Sequence, residues 1–510
     1  MSGSRTEYVK KNIFYGYLST IISSVFSIAV RTVFVYTLGA SYLGVSGLFT
    51  NVLGVLSFAE LGIGSAIVFS LYKPIADNDN EKIKSLLALY KKAYRIIAII
   101  VSIIGLCIIP FLNILVNSDI PMSQIRIFYL IFLFNTVSSY FVSYKTSYVS
   151  AIQKEYIITN TTVIGTILTN IVQVVALLLG GDYLSYLIIA AVIGLLQKIA
   201  TVIYLNKKFP ILTERDIIPL DTDTKRSIWK NVKALIIHKI GEVSVNQTDN
   251  IIVSAFVSTT AVGLLSNYTT LNGMINRFTG AFFGSFTASF GNMLAKEKIE
   301  KQRLIFDVYD LLGFWIYGFV FIAFVTLSQP FISLLWGENM LVDNATMILY
   351  FTSMFFAGMT YIPYSYKVAA GLFNEDKWVA FAQAIINLIV SIIAVKVIGL
   401  PGIFVGTLIS RMIVVIFRPY VVYKYILKKN VFEYYLRLFK RTILLFLICT
   451  IMWKIEIVIL NEINVLNFII MGLLVLIVPN IIFFCIYRNT NEFNEIVSRT
   501  KLGRIINVKK

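Results

Sequence analysis

Charged side chains occur inside the long apolar runs of this sequence, where they are costly and therefore informative. They are the bases Arg31, Lys239, Arg277 and Arg411 and the acids Glu60, Glu242 and Asp249. A charge at the centre of a bilayer costs at least about 2.5–3.5 kcal/mol and usually faces a cavity. Because guanidinium stays protonated and binds phosphate through two N–H groups, the bases favour a phosphate-bearing, sugar-like solute. The carboxylates could instead bind protons or sodium as coupling ions, and the residue types allow both together.

Polar residues recur at helical spacing in two of these runs. One stripe has 4-3-4 spacing and consists of Thr20, Ser24, Ser27 and Arg31. A second stripe has 3-4-3 spacing and consists of Lys239, Glu242, Asn246 and Asp249. Such spacing places side chains on one helix face, so we expect both stripes to line a lumen. Lys239 and Glu242, one turn apart, could equally neutralise each other, and Glu60 could form a structural salt bridge.

The bulk composition excludes a soluble protein. The 510 residues are 57% hydrophobic and 14% charged, with a mean hydropathy of +0.79, whereas soluble chains carry about 25% charged residues. Apolar runs of roughly 20 residues can cross a bilayer, and the lack of water in lipid requires them to be helices. We predict an all-α polytopic membrane protein with about 14 transmembrane helices, over 12–37, 44–71, 94–117, 124–149, 157–180, 184–205, 231–256, 262–292, 305–328, 345–369, 378–399, 402–424, 441–460 and 465–487.

Basic residues predict the orientation of these spans. The net charge is +18, from 45 Lys and Arg against 27 Asp and Glu. Most of the bases fall in alternate connections, whereas the opposite loops hold only Lys396 and Lys454. Because cytoplasmic loops are rich in Lys and Arg, we predict that both termini are cytoplasmic. The charge then specifies topology, and no nucleic-acid partner is expected.

Several further charges lie close to predicted span ends, where long side chains reach the interface. We assign no function to Arg126, Lys198, Asp307, Asp310, Lys367 and Arg418. Arg437 and Arg441 belong to the cytoplasmic, orienting set. The segment 78–93 is predicted to form an amphipathic interfacial helix with a structural role.

A repeat at an offset of 219 residues divides the chain into two halves. The segment 42–45 aligns with 261–264, and 11–13 aligns with 230–232. Six spans lie within one repeat, and an even number preserves orientation. We therefore predict two parallel six-helix pseudo-repeats that form N and C lobes around a central cavity, plus two extra C-terminal helices. The predicted domains are an N-lobe (1–205), a basic cytoplasmic linker (206–230), a C-lobe (231–426), an accessory helix pair (427–487) and a basic cytoplasmic tail (488–510).

The sequence offers little for metal or catalytic chemistry. Cys107, Cys449 and Cys485 fall in predicted spans without CxxC spacing, and His238 stands alone. Disulfides and metal sites usually show paired or clustered ligands. We expect no catalytic residue, no metal and no cofactor apart from a coupling proton or sodium ion.

Motifs in the first two spans carry a family resemblance. The segments 42–51, 56–67 and 71–74 resemble the early part of bacterial oligosaccharide flippases, in the polysaccharide branch of the multidrug/oligosaccharidyl-lipid/polysaccharide exporter superfamily. The stretch 59–64, which contains Glu60, is the most specific part. Segments similar to the second half of the same group are 238–241, 249–252, 263–268 and 289–292.

The resemblance implies a flippase and not an enzyme. Its substrate would be an undecaprenyl-pyrophosphate-linked oligosaccharide repeat unit, moved across the bacterial plasma membrane for capsule, exopolysaccharide or O-antigen synthesis. Alternation between inward- and outward-facing states, an ion gradient as driver, and a polysaccharide polymerase and chain-length regulator as candidate partners are also implied. By position, Arg31, Lys239, Arg277 and Arg411 would contact the pyrophosphate and glycan, while Glu60 would couple ions or only pack.

Three alternatives stay open. A drug or cation antiporter of the same superfamily would rely on the acids, but four mid-span bases against three acids favour an anionic substrate. A peptidoglycan-precursor flippase is a closer alternative. A membrane-embedded polysaccharide polymerase or glycosyltransferase is less favoured, because the longest predicted outer loop, 328–344, is short.

Overall fold

The described chain is built from helices. The computed structural model describes residues 5–60, 63–214, 247–372 and 377–499, together with parts of 219–232 and residue 375. Every regular element in these ranges is helical, which confirms the predicted all-α fold. The chain is divided into two compact units: unit 1 is Met1–Ser266 and unit 2 is Asn267–Lys510.

Unit 1 contains nine helices in its described part and the start of a tenth. They are α1 (Arg5–Leu38), α2 (Ala40–Leu56), α3 (Ile63–Ala76), α4 (Asn80–Ile108), α5 (Leu112–Leu115), α6 (Met122–Ala151), α7 (Glu155–Leu178), α8 (Tyr183–Lys208), α9 (247–256) and the first turns of α10 (Thr259–Lys296). The principal contacts join α1 to α7, α4 to α6, α7 to α8 and α6 to α8. The first helix therefore packs against a helix more than 100 residues later in the chain.

Unit 2 continues α10 and adds eight helices in its described part. They are α11 (Ile299–Trp336), α12 (Asn344–Met359), α13 (Tyr361–Ala369), α14 (Lys377–Ile398), α15 (Leu400–Val422), α16 (Phe432–Ile459), α17 (Val465–Tyr487) and α18 (Asn491–Arg499). Helices α14 and α15 form the tightest pair, and α11 contacts α12, α16 and α17. The helix α18 lies in the segment predicted only as a basic tail.

Eleven helices of the described chain are long and apolar enough to cross a membrane. They correspond to predicted spans, so a multi-pass membrane protein is confirmed, whereas the count of fourteen stays a prediction. Large apolar side chains are exposed along these helices, including Ile99 at 60% and Ile103 at 57% on α4 and Val397 at 77% on α14. Such side chains would be unfavourable in water and are suited to contact with acyl chains.

Two expected spans are interrupted. The run 44–71 is divided between α2 and α3 by a 3-10 turn over Ser57–Glu60, where the Ser57 hydroxyl donates to the Gly54 carbonyl at 2.6 Å. Serine hydroxyls that bond to preceding carbonyls compete with helical hydrogen bonding. The run 345–369 breaks at Thr360, just before Pro363, because proline favours the first turn of a new helix.

The stretch predicted as a separate interfacial helix is instead the first part of a spanning helix. Helix α4 is continuous from Asn80 to Ile108. Its start is capped by the Asp79 carboxylate, which accepts from the Lys82 backbone N–H at 3.0 Å. The amphipathic pattern of this stretch reflects buried Leu86 and Leu87 on one face and a lysine-rich face on the other.

Helices α14 and α15 approach closely through small residues. A Cβ at Gly406 would meet the backbone of Ser391, and one at Gly402 would meet the backbone of Ala394. The Ser391 hydroxyl donates to the Ile403 carbonyl at 3.1 Å. Small residues four apart let two membrane helices pack at short range, which explains the close contact of α14 and α15.

Repeat-related glycines meet each other within unit 1. A Cβ at Gly44 would lie 2.7 Å from the carbonyl carbon of Thr259, and one at Gly263 would lie 2.9 Å from the carbonyl carbon of Ala40. Gly44 and Gly263 are 219 residues apart, as are Ala40 and Thr259. The repeated sequence positions therefore form two equivalent, two-fold related contacts between α2 and the start of α10. At each contact the backbones are so close that only glycine fits.

Candidate functional site

The predicted stripe on α1 lies on a half-buried face of that helix. Thr20, Ser24, Ser27 and Arg31 are all half-buried, while Ile21 and Val25 beside them are exposed. The Thr20 hydroxyl donates to the Gly16 carbonyl at 2.9 Å. The Ser24 hydroxyl oxygen is inaccessible and has no hydrogen-bond partner among the described residues. The structure therefore keeps these four side chains together on one polar face in unit 1.

Arg31 is the charged residue of this stripe. Its Nη2 donates to the hydroxyl of Ser266, at the start of α10. Tyr186 on α8 lies close enough to interact electrostatically with the guanidinium. The Tyr186 ring also packs edge-on against Phe34, one turn after Arg31, with centroids 5.0 Å apart. Residues of three helices, α1, α8 and α10, therefore surround the guanidinium.

Glu60 lies in a cluster of tyrosines. It ends the 3-10 turn after α2, and its Oε2 accepts from the Tyr94 hydroxyl at 3.3 Å. Tyr140 presents its hydroxyl to the same carboxylate, and Tyr90 packs against Tyr94 with ring centroids 4.7 Å apart. Hydrogen bonds from hydroxyl groups stabilise the ionised form of a carboxylate. The structure thus connects Glu60 to α4 and α6 through the hydroxyl groups of Tyr94 and Tyr140.

The other described candidates are not all brought together. In unit 2, Arg411 on α15 donates from Nη1 to the Ser353 carbonyl on α12 at 2.7 Å. Arg277 on α10 is exposed, and Asp249 on α9, in unit 1, is half-buried. The predicted site residues Lys239, Glu242 and Asn246 lie outside the described residues, so the second stripe stays a prediction.

Lys198 lies deeper within its helix than the predicted position near a span end suggests. It is ten residues from the end of α8, or about 15 Å along the axis. Its Nζ donates to the Ser138 hydroxyl at 2.7 Å and to the Asn135 carbonyl at 3.1 Å. The position of Lys198 within a long helix was the available signal.

A buried ion-pair network in unit 2 was also missed. Arg441 Nη1 lies 2.6 Å from Asp310 Oδ2, and Arg437 Nη2 lies 2.6 Å from Asp307 Oδ1. Arg441 is 4% exposed and Asp310 is 1% exposed. Asp310 and Arg441 therefore form a buried ion pair, and Asp307 and Arg437 extend it as a half-buried pair. The signal was an acid pair three apart on α11 and an arginine pair four apart on α16.

No metal-binding arrangement is present in the part of the chain that the structure describes. A group of three or more His, Cys, Asp and Glu side chains able to hold a metal ion is absent there. The three cysteines are free thiols. The candidate site therefore consists of embedded charges held by hydroxyl and carbonyl groups.

Comparison with known proteins adds a family model and several solved structures. The family model described as "Polysaccharide biosynthesis protein" matches residues 9–288, which is more than half of the chain. A search of curated proteins finds no match.

Solved structures share the fold at low identity. The lipid II flippase MurJ in an inward closed conformation has a TM-score of 0.64 and 16% identity, over 94% of this chain and 99% of that one. The MATE transporter VcmN of Vibrio cholerae has a TM-score of 0.57 and 14% identity, over 84% of this chain and 99% of that one. A MOP superfamily transporter from Pyrococcus furiosus has a TM-score of 0.56 and 13% identity, over 84% and 98%.

Proposed function

The chain belongs to the polysaccharide biosynthesis protein family, and on that basis we propose that it is a flippase for undecaprenyl-pyrophosphate-linked oligosaccharide repeat units. This membership confirms the resemblance to the exporter superfamily drawn from the sequence. Transport by alternating access would deliver the repeat unit to the outer leaflet of the bacterial plasma membrane. A polysaccharide polymerase and a chain-length regulator would act on it there.

The observation that carries this proposal is the environment of Arg31. The guanidinium lies on the polar face of α1, where it donates to the hydroxyl of Ser266 and has Tyr186 nearby. A guanidinium stays protonated and can bind phosphate through two N–H groups. The hydroxyls of Ser24 and Ser27 on the same face suit the hydroxyl groups of a sugar.

Glu60 supports ion coupling as part of this proposal. A carboxylate surrounded by tyrosine hydroxyls can bind and release a proton or a sodium ion as its surroundings change. The described structure gives Glu60 the hydroxyl partner Tyr94 at 3.3 Å. We propose that this carboxylate couples an ion gradient to transport.

The test is complementation of a strain that lacks the chromosomal copy. Arg31→Ala should abolish surface polysaccharide while protein remains in the membrane at the normal level. Arg31→Lys should retain only part of the export, because an ammonium does not bind phosphate through two donors. Glu60→Gln should make export independent of an uncoupler that collapses the ion gradient. Arg126→Gln is the matched control, since Arg126 is exposed at the start of α6.

Each alternative gives a different result. Lipid-linked repeat units should accumulate in the cytoplasmic leaflet when the protein is depleted; accumulation in the outer leaflet would indicate a polymerase. Arrest of peptidoglycan synthesis with normal polysaccharide precursors would indicate a peptidoglycan-precursor flippase. Drug sensitivity with normal export would indicate an antiporter, and normal export by Arg31→Ala would contradict the role of Arg31.

A further inference from the structure

A cationic crevice lies between α4, α6 and α8 in unit 1, and its lining includes Tyr140, which also contacts Glu60. It is lined by the first turns of α4, the last turns of α6, the end of α8 and the chain that follows α8. Its basic side chains are Lys84, Lys91, Lys92, Arg95 and Lys145. Among its described lining residues, the one carboxylate is Glu214, which pairs with Lys84. The crevice therefore carries a large excess of positive charge.

The crevice is a concave site and not a flat basic surface. Two adjoining cavities of about 310 Å³ and about 220 Å³ share Lys91, Arg95 and Tyr144 in their walls. Lys145, at the base, is 5% exposed and donates to Asn206 on α8. The Tyr144 ring has Lys145 Nζ at 5.4 Å and Lys91 Nζ at 5.9 Å from its centroid. Contacts with a common ring hold these cations close together despite their mutual repulsion.

The chain after α8 closes one side of the crevice. Leu212 lines the wall. Two ion pairs, Lys84–Glu214 and Lys82–Asp221, connect this segment to α4, and Lys82 Nζ lies 3.8 Å from Asp221 Oδ2. Hydrogen bonds from the backbone N–H and hydroxyl of Thr224 lower the pKa of Asp221. Asp221 is therefore ionised opposite Lys82 at neutral pH.

The opening of the crevice contains apolar side chains. Phe141 on α6 lines it and is 54% exposed, and Val202 on α8 lies beside it. Both residues belong to helices long and apolar enough to span a membrane. A soluble anion would not need an apolar rim, whereas a phosphate attached to acyl chains would contact both the cations and the rim.

We propose that this crevice binds the phosphate of an anionic membrane lipid, with the acyl chains against Phe141 and the adjoining apolar surface. Basic pockets between transmembrane helices on the cytoplasmic side bind anionic lipid headgroups, and the excess of basic loops predicts that this end of unit 1 is cytoplasmic. Arg95 supplies the planar donor pair that fits phosphate oxygens. The site goes beyond the proposed transport function and does not depend on it.

The test measures lipid binding to the full chain, purified in detergent and stripped of lipid, by native mass spectrometry. The probes are dioleoylphosphatidylglycerol, dioleoylphosphatidylethanolamine and sodium pyrophosphate. The double variant Lys91→Gln/Arg95→Gln should weaken phosphatidylglycerol binding on the order of tenfold, and Lys91→Arg/Arg95→Lys should retain it. The matched control is Lys207→Gln/Lys208→Gln, which removes two exposed charges outside the crevice at the end of α8, and should change binding less than about threefold.

Three results would overturn the proposal. Equal loss of binding in the crevice and control variants would show a diffuse surface effect. Equal affinity for phosphatidylethanolamine would show that no anion is recognised. Pyrophosphate that binds as tightly as phosphatidylglycerol would show a site for a soluble anion. Because the assay involves no transport, failure of the flippase proposal would leave these measurements unchanged, and failure here would leave that proposal standing.

Discussion

At the scale of single residues, the described charges within the apolar helices have different partners. Arg31 and Glu60 contact hydroxyl groups, and Asp310 pairs with Arg441. The sequence indicated that Arg31 and Glu60 were unusual, because each is a charge within an apolar run. It did not identify Asp310 and Arg441 as partners, because they are 131 residues apart and packing alone brings α11 to α16. Charge type and spacing therefore predict candidate residues, whereas the partners of those residues are set by tertiary packing.

The Asp310–Arg441 pair provides a stability prediction. Asp310→Asn leaves the buried Arg441 guanidinium uncompensated, and removing one partner of a buried ion pair costs about 3–5 kcal/mol. We expect a clear drop in the thermal unfolding temperature of the purified protein in detergent. The double variant Asp310→Leu/Arg441→Leu should be more stable than Asp310→Asn alone, because no charge is then buried without a partner. Unfolding measured for both variants gives the comparison.

Exposed charge pairs supply the control for this prediction. Glu297→Gln breaks the exposed pair of Glu297 with Lys301, at 2.8 Å on the same unit, and such pairs contribute about 0–1 kcal/mol. A loss of stability in Asp310→Asn no larger than in Glu297→Gln would contradict the structural role assigned to the network.

At the scale of elements, hydropathy predicted the long helices well and their interruptions poorly. Helices such as α7 and α17 lie within a few residues of the expected runs 157–180 and 465–487, because length and apolar content decide them. The break at Ser57–Glu60 lies within one apolar run, so average hydropathy carries no signal for it. At the break, the Ser57 hydroxyl bonds locally to the Gly54 carbonyl, and Glu60 contacts Tyr94 of α4; the second contact depends on tertiary structure.

The repeat-related glycines give a prediction about close packing of elements. Gly44→Ala would place a methyl group against the Thr259 carbonyl, a backbone group that cannot rotate away. We therefore expect lower folded yield and a lower unfolding temperature, by an amount typical of overpacking, about 1–3 kcal/mol. Gly263→Ala should have a similar effect, because its contact with Ala40 is the two-fold equivalent. Size-exclusion profiles and thermal unfolding of the detergent-purified variants measure both.

Gly194→Ala is the matched control for these variants. Gly194 lies within α8 of the same unit, and its added Cβ would have its nearest described neighbour at 3.9 Å. Alanine is a better helix former than glycine by about 1 kcal/mol, so Gly194→Ala should be neutral or stabilising. Equal behaviour of Gly44→Ala and Gly194→Ala would refute the close contact.

At the scale of the whole molecule, composition and charge distribution decided the class of protein before any element was placed. A chain that is 57% hydrophobic with 14% charged residues cannot cover a soluble surface of this size, and the eleven long apolar helices agree. The number of spans depends on more than composition. Part of the predicted span 231–256, between α8 and α10, lies outside the described residues. Whether this segment crosses the membrane determines the orientation of every later span.

Topology mapping tests that crossing. If the segment between α8 and α10 crosses the membrane once and α10 crosses it again, Thr213 and Glu297 should both be cytoplasmic. Ser118 and Asn339 should then both be external. Single cysteines at these four positions, in a variant without its native cysteines, should give this pattern with a membrane-impermeant maleimide on right-side-out vesicles. If the segment 231–256 did not cross the membrane, Glu297→Cys would be labelled from outside and Asn339→Cys would be protected, whereas the labelling of Ser118→Cys and Thr213→Cys would be unchanged. An even number of spans per repeat requires both repeats to have the same orientation. The exchanged labelling of Glu297→Cys and Asn339→Cys would therefore reject the parallel repeat as well as the count of fourteen.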